Sequence, residues 1–474
     1  MANPTYTVSM DIVTAGVIPA ADVLRVGIDR ILSDSFTQLG IGRASVLLDN
    51  SGGDYSPELN ANARPYRSVV IGAVTDAGSK YLLFTGTVDA ISANPRLGNR
   101  RVLVQCSDRA GRLSKKIETS FRLNTKISSL AVDVLSAAGL AASEYSVDKI
   151  QDSVSFGWLN DISGGAAIHQ LVQSGAHFAL VGGDGVLRVR ERNADLEDTI
   201  VSSYVSNFLQ LDYEMNVGRI VNDARISGQS RRVASVVNTV AWLEESLRIA
   251  GSATQTFFLE YLDPDTNEAP TPVSSPVTPV ASTDYLFTAN EDGTGTDLTS
   301  QTNLTFTPFA TNAKIVVENA GAGAGFLSKF QIRGFAVQRQ PKITLRSEIN
   351  SSQTTYDRRT FEITSDLIDS APFAENYAQF LTANWHDPLG RVSFALRNVF
   401  PDVLALDLFN RVHAVESHSG IGGDWRVAEI SHDVDMSVGL EHTTIYGLNV
   451  AQAKDYLILD HATDGKLDIR ELGF

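Results

Sequence analysis

Residues Ser163 to Arg192 read SGGAAIHQLVQSGAHFALVGGDGVLRVRER. The first half predicts a helix over 164–175, because Ile168, Leu171 and Val172 recur at helical spacing and Gly175 ends the run. A short apolar strand follows, then Asp184-Gly185, a dipeptide that hairpin turns favour. In the return strand Leu187 and Val189 alternate with Arg188 and Arg190. The apolar pair is expected to face in, and the arginines to form a solvated or subunit-facing edge. LDYEMNVGRIVNDARIS, Leu211 to Ser227, comes next, and its second half reads as a strand. Nothing here has catalytic logic. A helix on a hairpin occurs in many folds, so its neighbours decide what it belongs to.

Before it, residues 5–108 read as β. TYTVSMDIV, RASVLLDN, RSVVIGAVT, KYLLFTGTVDAISA and NRRVLVQCSD are rich in β-branched and aromatic residues, and NSGGDYSPELN and NPRLGN between them are turn chemistry. Lys80–Ala93 and Asn99–Asp108 predict a long hairpin. TKISSLAVDVLSAAGL predicts a helix with Ile127, Leu130, Ala131, Val134 and Leu135 on one face, capped by Thr125 and ended by Gly139. After the quoted stretch, VVNTVAWLEESLRIAGSATQTFFLEYL suits either strand or helix. Pro264 to Thr283 is the sharpest composition shift, a Pro/Ser/Thr-rich linker or extended loop. DYLFTA, LTFTPFA, AKIVVENAG and SKFQIRGFAV predict an inserted sandwich-like β module with a flexible GAGAG loop at 321–325. The last stretch is β around one helix, PFAENYAQFLTANWHD, with Pro372 in its first turn. It closes on another hairpin, DWRVAEISHDVDM and EHTTIYGLN.

The 474 residues allow about three domains, and 43% hydrophobic with 20% charged residues suits β-rich domains with sizeable cores. The expected class is mainly β (α+β): two barrel- or sandwich-like β domains near the ends, a helix-plus-hairpin subdomain and the inserted module. The expected boundaries are 1–120, 121–200, 201–255 (connecting segments), 256–340 (module with linker), 341–452 and a 453–474 tail. A net charge of −16 argues against wrapping nucleic acid and suits ordinary solubility, or a passage that DNA crosses without sticking. The single Cys106 excludes an internal disulfide and is expected to be a small buried residue. Neither a signal peptide nor a membrane span is expected.

No Walker loop, GxSxG or HExxH occurs. LGIGRAS at 39–45 starts like a dinucleotide loop but has Ser45 where a third glycine belongs. In ISHDVDM, His432 and Asp433 point to opposite strand faces while Asp433 and Asp435 share one, which suits a solvated strand face better than a site. Glu244 and Glu245 have no fixed spacing to a partner, which leaves a hydrolase built on a carboxylate pair as a minor reading. Asp460, Asp464, Gly465, Asp468 and Glu471 match positions of a calcium loop, but Ala462 lacks the third ligand and flanking helices are missing, so a tail with an Asp-Gly turn is expected. Tyr285, Phe287, Phe306 and Phe309 could stack on sugars in a carbohydrate-binding adhesin, although strand spacing suits a core. No catalytic, cofactor-binding or metal residue is assigned.

Taken in order, ASVLLDNSGGDYSPELN, LLFTGTVDAISANP with RRVLVQCSDRAGRL, the helix with its Asp-Gly hairpin and NDARIS, DGTGTDLTSQTNLTFTPFATNAKIVVENAG with FLSKFQIRG, RRTFEITSDLI, ENYAQFLTANW, DWRVAEISHDV and YLILDHATDGKLD resemble the tail hub or baseplate hub proteins of tailed bacteriophages. The resemblance spans roughly residues 20–470 and carries no catalytic residues. It implies a structural virion protein, made in the host cytoplasm, whose barrel-like domains join the tail tube to the tip, often as a trimeric ring. Two such domains in each of three chains would match a six-fold tube to a three-fold tip. The implied partners are further copies, a tail tube or distal tail protein, the tape measure, tip or fibre proteins, and viral DNA passing without specific binding. The Pro-rich segment departs from the pattern, and with no lysin domain evident, cleavage of peptidoglycan is not expected.

Overall fold

Alternation of apolar and polar residues makes the first hundred residues strands, since it gives each one a dry face and a wet face. The structure is a computed structural model that describes residues 4–449 except 14–15, 34–38, 97–98, 151, 193, 195–198, 206–207, 216 and 437–439. Its first six strands are β1 (Thr5–Met10), β2 (Val23–Ile31), β3 (Arg43–Asp49), β4 (Ser68–Val74), β5 (Lys80–Arg96) and β6 (Asn99–Asp108). The expected long hairpin is β5 against β6, paired from Gly86↔Asp108 to Arg96↔Asn99. Cys106 is buried in β6.

The subdomain follows: β7 (Lys116–Ile117), β8 (Arg122–Lys126), α1 (Ile127–Ala137), β9 (Tyr145–Val147), β10 (Ser153–Gly157), β11 (Ile162–Ser163), α2 (Gly164–Gly175), β12 (Phe178–Val181) and β13 (Leu187–Arg190). The Ser163 hydroxyl accepts the Ala166 N–H at 3.2 Å and caps α2, and Ala176 ends it in the left-handed conformation with φ 56°. Gly185 supplies the positive φ of the β12–β13 turn. Thr125 does not cap α1. It lies inside β8, paired with Val154, and α1 starts after Lys126 without a side-chain cap. The faces of α1 and α2 read from the sequence pack together in one apolar cluster with Leu187 and Val189.

Next come β14 (Ile200–Val205), β15 (Gln210–Met215) and β16 (Asp223–Val233), then β17 (Asn238–Trp242), β18 (Leu247–Ile249), β19 (Thr254–Glu260), β20 (Val273–Val277), β21 (Tyr285–Thr288), β22 (Thr302–Pro308), β23 (Asn312–Asn319) and the 24-residue β24 (Gly325–Glu348). The ambiguous run 236–262 is therefore strand. The Pro-rich stretch is no free linker: Val273 is fully buried and β20 pairs with β24, because its Val and Ser residues can join the ladder where its prolines cannot. The module's core runs from Val240 to Ala336. β24 then leaves the module and pairs with β16. Pro341 sits where that register slips, between Gln229 and Arg231, a position that needs no N–H.

The chain closes with α3 (Asn350–Tyr356), β25 (Thr360–Ser365), α4 (Ala371–Trp385), β26 (Gly390–Arg397), α5 (Asp402–Ala405), β27 (Arg411–Glu416), β28 (Ile421–Asp435) and β29 (Leu440–Asn449). Ala374, Tyr377, Ala378 and Leu381 bury one face of α4 on β24 and β16.

The fold is mainly β, yet its two end regions share one sheet of twelve strands, ordered β1-β4-β5-β6-β3-β2-β28-β29-β26-β15, with β27 beside β28 and β14 beside β27. β2 runs antiparallel to β28 from Arg25↔Asp435 to Ile31↔Glu429. A single apolar cluster extends from Tyr6 to Ile445. Separate closed barrels were the expectation, but among the described residues no sheet is closed, because β28 is long enough to pair with β2 on one half and β27 on the other. The C-terminal half still curls: Tyr204 of β14 and Phe208 lie 5.5 and 5.4 Å, ring centre to ring centre, from Phe394 of β26. Phe394→Ala should therefore cost about 3–5 kcal/mol. Hydrogen exchange should show protection lost in β14 ahead of β1–β6, and uniform loss would refute this account of the curl.

Candidate interaction surfaces and the buried junction

The β2–β28 seam has two unlike faces. Outside, the Arg25 Nε donates to Asp433 at 2.7 Å and the Ser431 hydroxyl donates to Asp29 at 2.6 Å. They wall a shallow depression of about 380 Å³ floored by Gly27 and Ser45. Inside, His432 and Glu441 are each only 1% exposed. Thr443 Oγ1 donates to Glu441 Oε1 at 3.0 Å, His432 Nδ1 lies 3.1 Å from that oxygen, and the Tyr6 hydroxyl donates to Oε2. Burial, reinforced by the charge of Glu441, pushes the Tyr6 hydroxyl far above its ordinary pKa. The expectation of a solvated strand face thus holds for Asp433 and fails for His432, whose ring is sealed in the core to satisfy a buried carboxylate.

The helix–hairpin unit docks on this sheet through aromatic rings and arginines. Phe178 meets Phe409 edge to face at 5.0 Å, with the Arg426 guanidinium 4.5 Å above Phe178. Arg190 lies 4.5 Å above Phe409. Arg188 grips Asp184 with both terminal nitrogens, at 2.9 and 2.6 Å. Both arginines are half-buried and engaged within the chain, so the freely solvated edge that alternation suggests is replaced by contacts with Asp184 and Phe409. At Gly183 a Cβ would come within 2.2 Å of the Leu82 carbonyl oxygen, so only glycine admits this approach.

Asp108 sits beneath the unit, 4% exposed, accepting the N–H groups of Gly42 at 2.8 Å and Ala110 at 2.9 Å. Burial pushes its carboxyl up to about 7, against the pull of those N–H groups and Arg30. Gly42, part of the glycine pair that suggested a dinucleotide loop, serves this contact: a Cβ there would lie 2.5 Å from the Asp108 carboxylate.

The remaining sequence candidates do not converge. Glu244 and Glu245 are exposed in the β17–β18 turn. Tyr285 and Phe287 are buried, and Phe306 packs against the module core. Phe309 is half-buried. The calcium-loop candidates Asp460, Asp464, Gly465, Asp468 and Glu471 lie outside the described residues. Among the described residues no cluster of three His, Cys, Asp or Glu could hold a metal, and no helix is long and apolar enough to cross a membrane.

Sequence reasoning missed the surfaces. Among the described residues β14 and β15 each pair on one side only, and they expose Val205 (61%) and Met215 (60%), along with Ile200, Val201, Leu209 and Tyr213 in and between them. Trp242 (42%) and Phe258 (58%) are exposed on the module. Isolated apolar residues at a surface are ordinary, whereas apolar residues grouped along an open strand edge are a candidate interaction surface.

Asp108 gives a pH test. Its folded pKa is raised above the unfolded value, so its contribution is fully present below about 4 and is lost as pH rises through about 7. Between these pH values the wild type should lose Tm relative to Asp108→Asn, and parallel Tm profiles would refute this.

No family model matches the sequence, and no curated protein matches it. Solved structures do resemble the fold. The tail protein from Neisseria meningitidis MC58 superposes with a TM-score of 0.52 at 11% identity, over 95% of this chain and 97% of its own. The 43 kDa tail protein of prophage MuSo2 from Shewanella oneidensis gives a TM-score of 0.50 at 9% identity, over 94% and 97%. Along nearly its whole length, the chain has the fold of these tail proteins, in keeping with the resemblance read in its sequence.

Proposed function

We propose that the chain is a non-enzymatic structural protein of a phage tail, placed as the hub of the tail tip or baseplate. There it joins the tail tube to the distal tip and lines the passage for DNA. The observation that carries this reading is the end-to-end likeness of fold to two tail proteins. The twelve-stranded sheet supplies two β regions per chain, so a trimeric ring would offer six tube-like units. The open, apolar β14 edge is the surface proposed to meet the next copy, where the curled sheet would be completed as a barrel. The −16 charge suits a passage that repels DNA. The tube or distal tail protein, tape measure and tip or fibre proteins are the proposed partners, and the virion tail the proposed location. The proposed module boundary is Ala234 to Val337, where the Ala234 N–H meets the Ala336 carbonyl at 2.8 Å.

Class averages of the purified protein should show three-fold rings with six-fold features, and Val205→Lys should reduce them to monomers of unchanged fold. A wild-type protein that stays monomeric at assembly concentrations and is absent from purified virions would overturn the proposal.

A second reading, a carbohydrate-binding adhesin, moves from the buried Tyr285 and Phe287 to Trp242 and Phe258, the exposed aromatics of the module. Glycan-array binding by the full chain that is lost in Trp242→Ala and Phe258→Ala would support it, and an array without signal would dismiss it.

A further inference from the structure

The two most exposed large apolar side chains among the described residues, Tyr66 at 89% and Leu59 at 78%, stand on one loop, the β3–β4 connection. The loop is tied down along its length. Asn50, itself buried, accepts the Tyr55 N–H at 2.9 Å and donates to the Ser56 hydroxyl at 2.8 Å. Asn60 donates to the carbonyl oxygens of Ile12 and Asp54 at 2.8 and 2.7 Å. Tyr55 and Ala63 are buried beneath it, and the Tyr55 hydroxyl donates to Asp22 at 2.5 Å. Tyr66 is held at φ 64°, a conformation bulky residues rarely adopt, because its N–H donates to the Val88 carbonyl at 2.7 Å and the Val88 N–H donates to the Arg67 carbonyl at 2.8 Å. Such strain persists only where the surrounding structure fixes it, and it gathers at sites of recognition. The loop is thus a preformed knob that loses little further entropy on binding. Arg64 and Arg67 flank Tyr66, bonded to Ala61 and Asn62, and among the described residues neither meets a carboxylate. Exposed Tyr and Arg side chains are the types that anchor protein interfaces.

The other half of the chain carries a surface of matching character. Tyr213 and Met215 of β15 lie opposite Val392 and Gly390 of β26. Val392 is fully buried, and the Tyr213 ring meets the buried Trp425 edge to face at 6.1 Å, so these side chains belong to the core side of the sheet. Yet Tyr213 is 40% and Met215 60% exposed, and Leu209 and Val217 extend the exposed strip at either end. Among the described residues the core therefore runs to this edge and stops uncovered. Asp212, exposed on the adjoining face, puts a negative charge beside it. Knob and strip are both exposed in one and the same chain, and the bonds from Asn60 to Ile12 and from Tyr66 to Val88 keep the loop from swinging to its own strip. A second copy gives each surface its complement: Leu59 and Tyr66 would cover the strip, and Arg64 and Arg67 would meet Asp212.

We propose that the loop from Leu59 to Arg67 of one copy docks on the exposed β15 strip of the next. The two surfaces differ, so the contact is head-to-tail, and repeated it closes a ring. The inference rests on the proposed ring and names the contact that builds it. Cysteine pairing in the full-length protein tests it, since the single native cysteine, Cys106, is buried. Chains with Tyr66→Cys mixed with chains with Met215→Cys should form a disulfide between copies under mild oxidation. The yield should be about tenfold above a mixture in which Val280→Cys, exposed elsewhere, replaces Tyr66→Cys. Leu59→Cys is the second knob variant and leaves the strained position untouched. Arg64→Glu with Arg67→Glu should abolish the excess, and adding Asp212→Lys should restore it. Rings that form without an excess from either knob variant would overturn this contact and leave the hub reading standing. A disulfide of Met215→Cys with its own copy alone, or indifference to the charge reversal, would overturn it as well. A protein that stays monomeric would overturn both.

Discussion

Seven residue pairs between β2 and β28 hold the two ends of the chain in one sheet, and the rest of the architecture hangs on them. Closing so long a loop costs entropy that grows only slowly with length. The pairing must nevertheless be found among many apolar strands of similar pattern. The buried His432, Glu441, Tyr6 and Thr443 resist a wrong choice. A slip of one residue would turn the β28–β29 hairpin over, carry His432, Glu441 and Thr443 to the solvent side together and leave the Tyr6 hydroxyl buried without its acceptor. The polar cluster thus specifies register in a core whose aliphatic residues could tolerate several.

The same device recurs where the other sheets need fixing. Asp284 in the module is gripped by Arg333 at 2.7 and 2.8 Å, and Asp223 at the start of β16 by Arg346 and Thr360. Burial pushes both carboxyls up, but the arginines and neighbouring hydrogen bonds outweigh it and hold them below the usual carboxylate range. Each clamp spans strands that sequence distance would leave independent. The acids that make the chain negative thus include some that never meet solvent.

What could be read in the sequence was local. α2 spans the expected 164–175 because glycines and a serine cap mark its ends, and the β5–β6 and β28–β29 hairpins follow from alternation and short turns. Three things were not legible. The β2–β28 seam joins segments some 400 residues apart, and nothing in either strand names the other. The Pro-rich stretch advertises a linker by composition, while the part that pairs, Val273–Val277, is too short to carry a periodicity. Arg190 alternates with apolar residues as a solvated arginine would, and only the fold brings Phe409 beneath it. Exposed apolar edges are equally invisible in advance, because in sequence a strand awaiting a neighbour reads like one that has it.

β24 belongs to two bodies at once. Its first part is woven into the module, and its last part lies along β16 in a ladder from Val233↔Val337 to Asp223↔Glu348. A pull on the module directed along the strand would load that ladder in shear, so its hydrogen bonds would resist together rather than peel in sequence. A sideways pull would bear first on the slip beside Pro341, where the ladder is weakest. The inserted module is therefore mounted stiffly along one axis and compliantly across it.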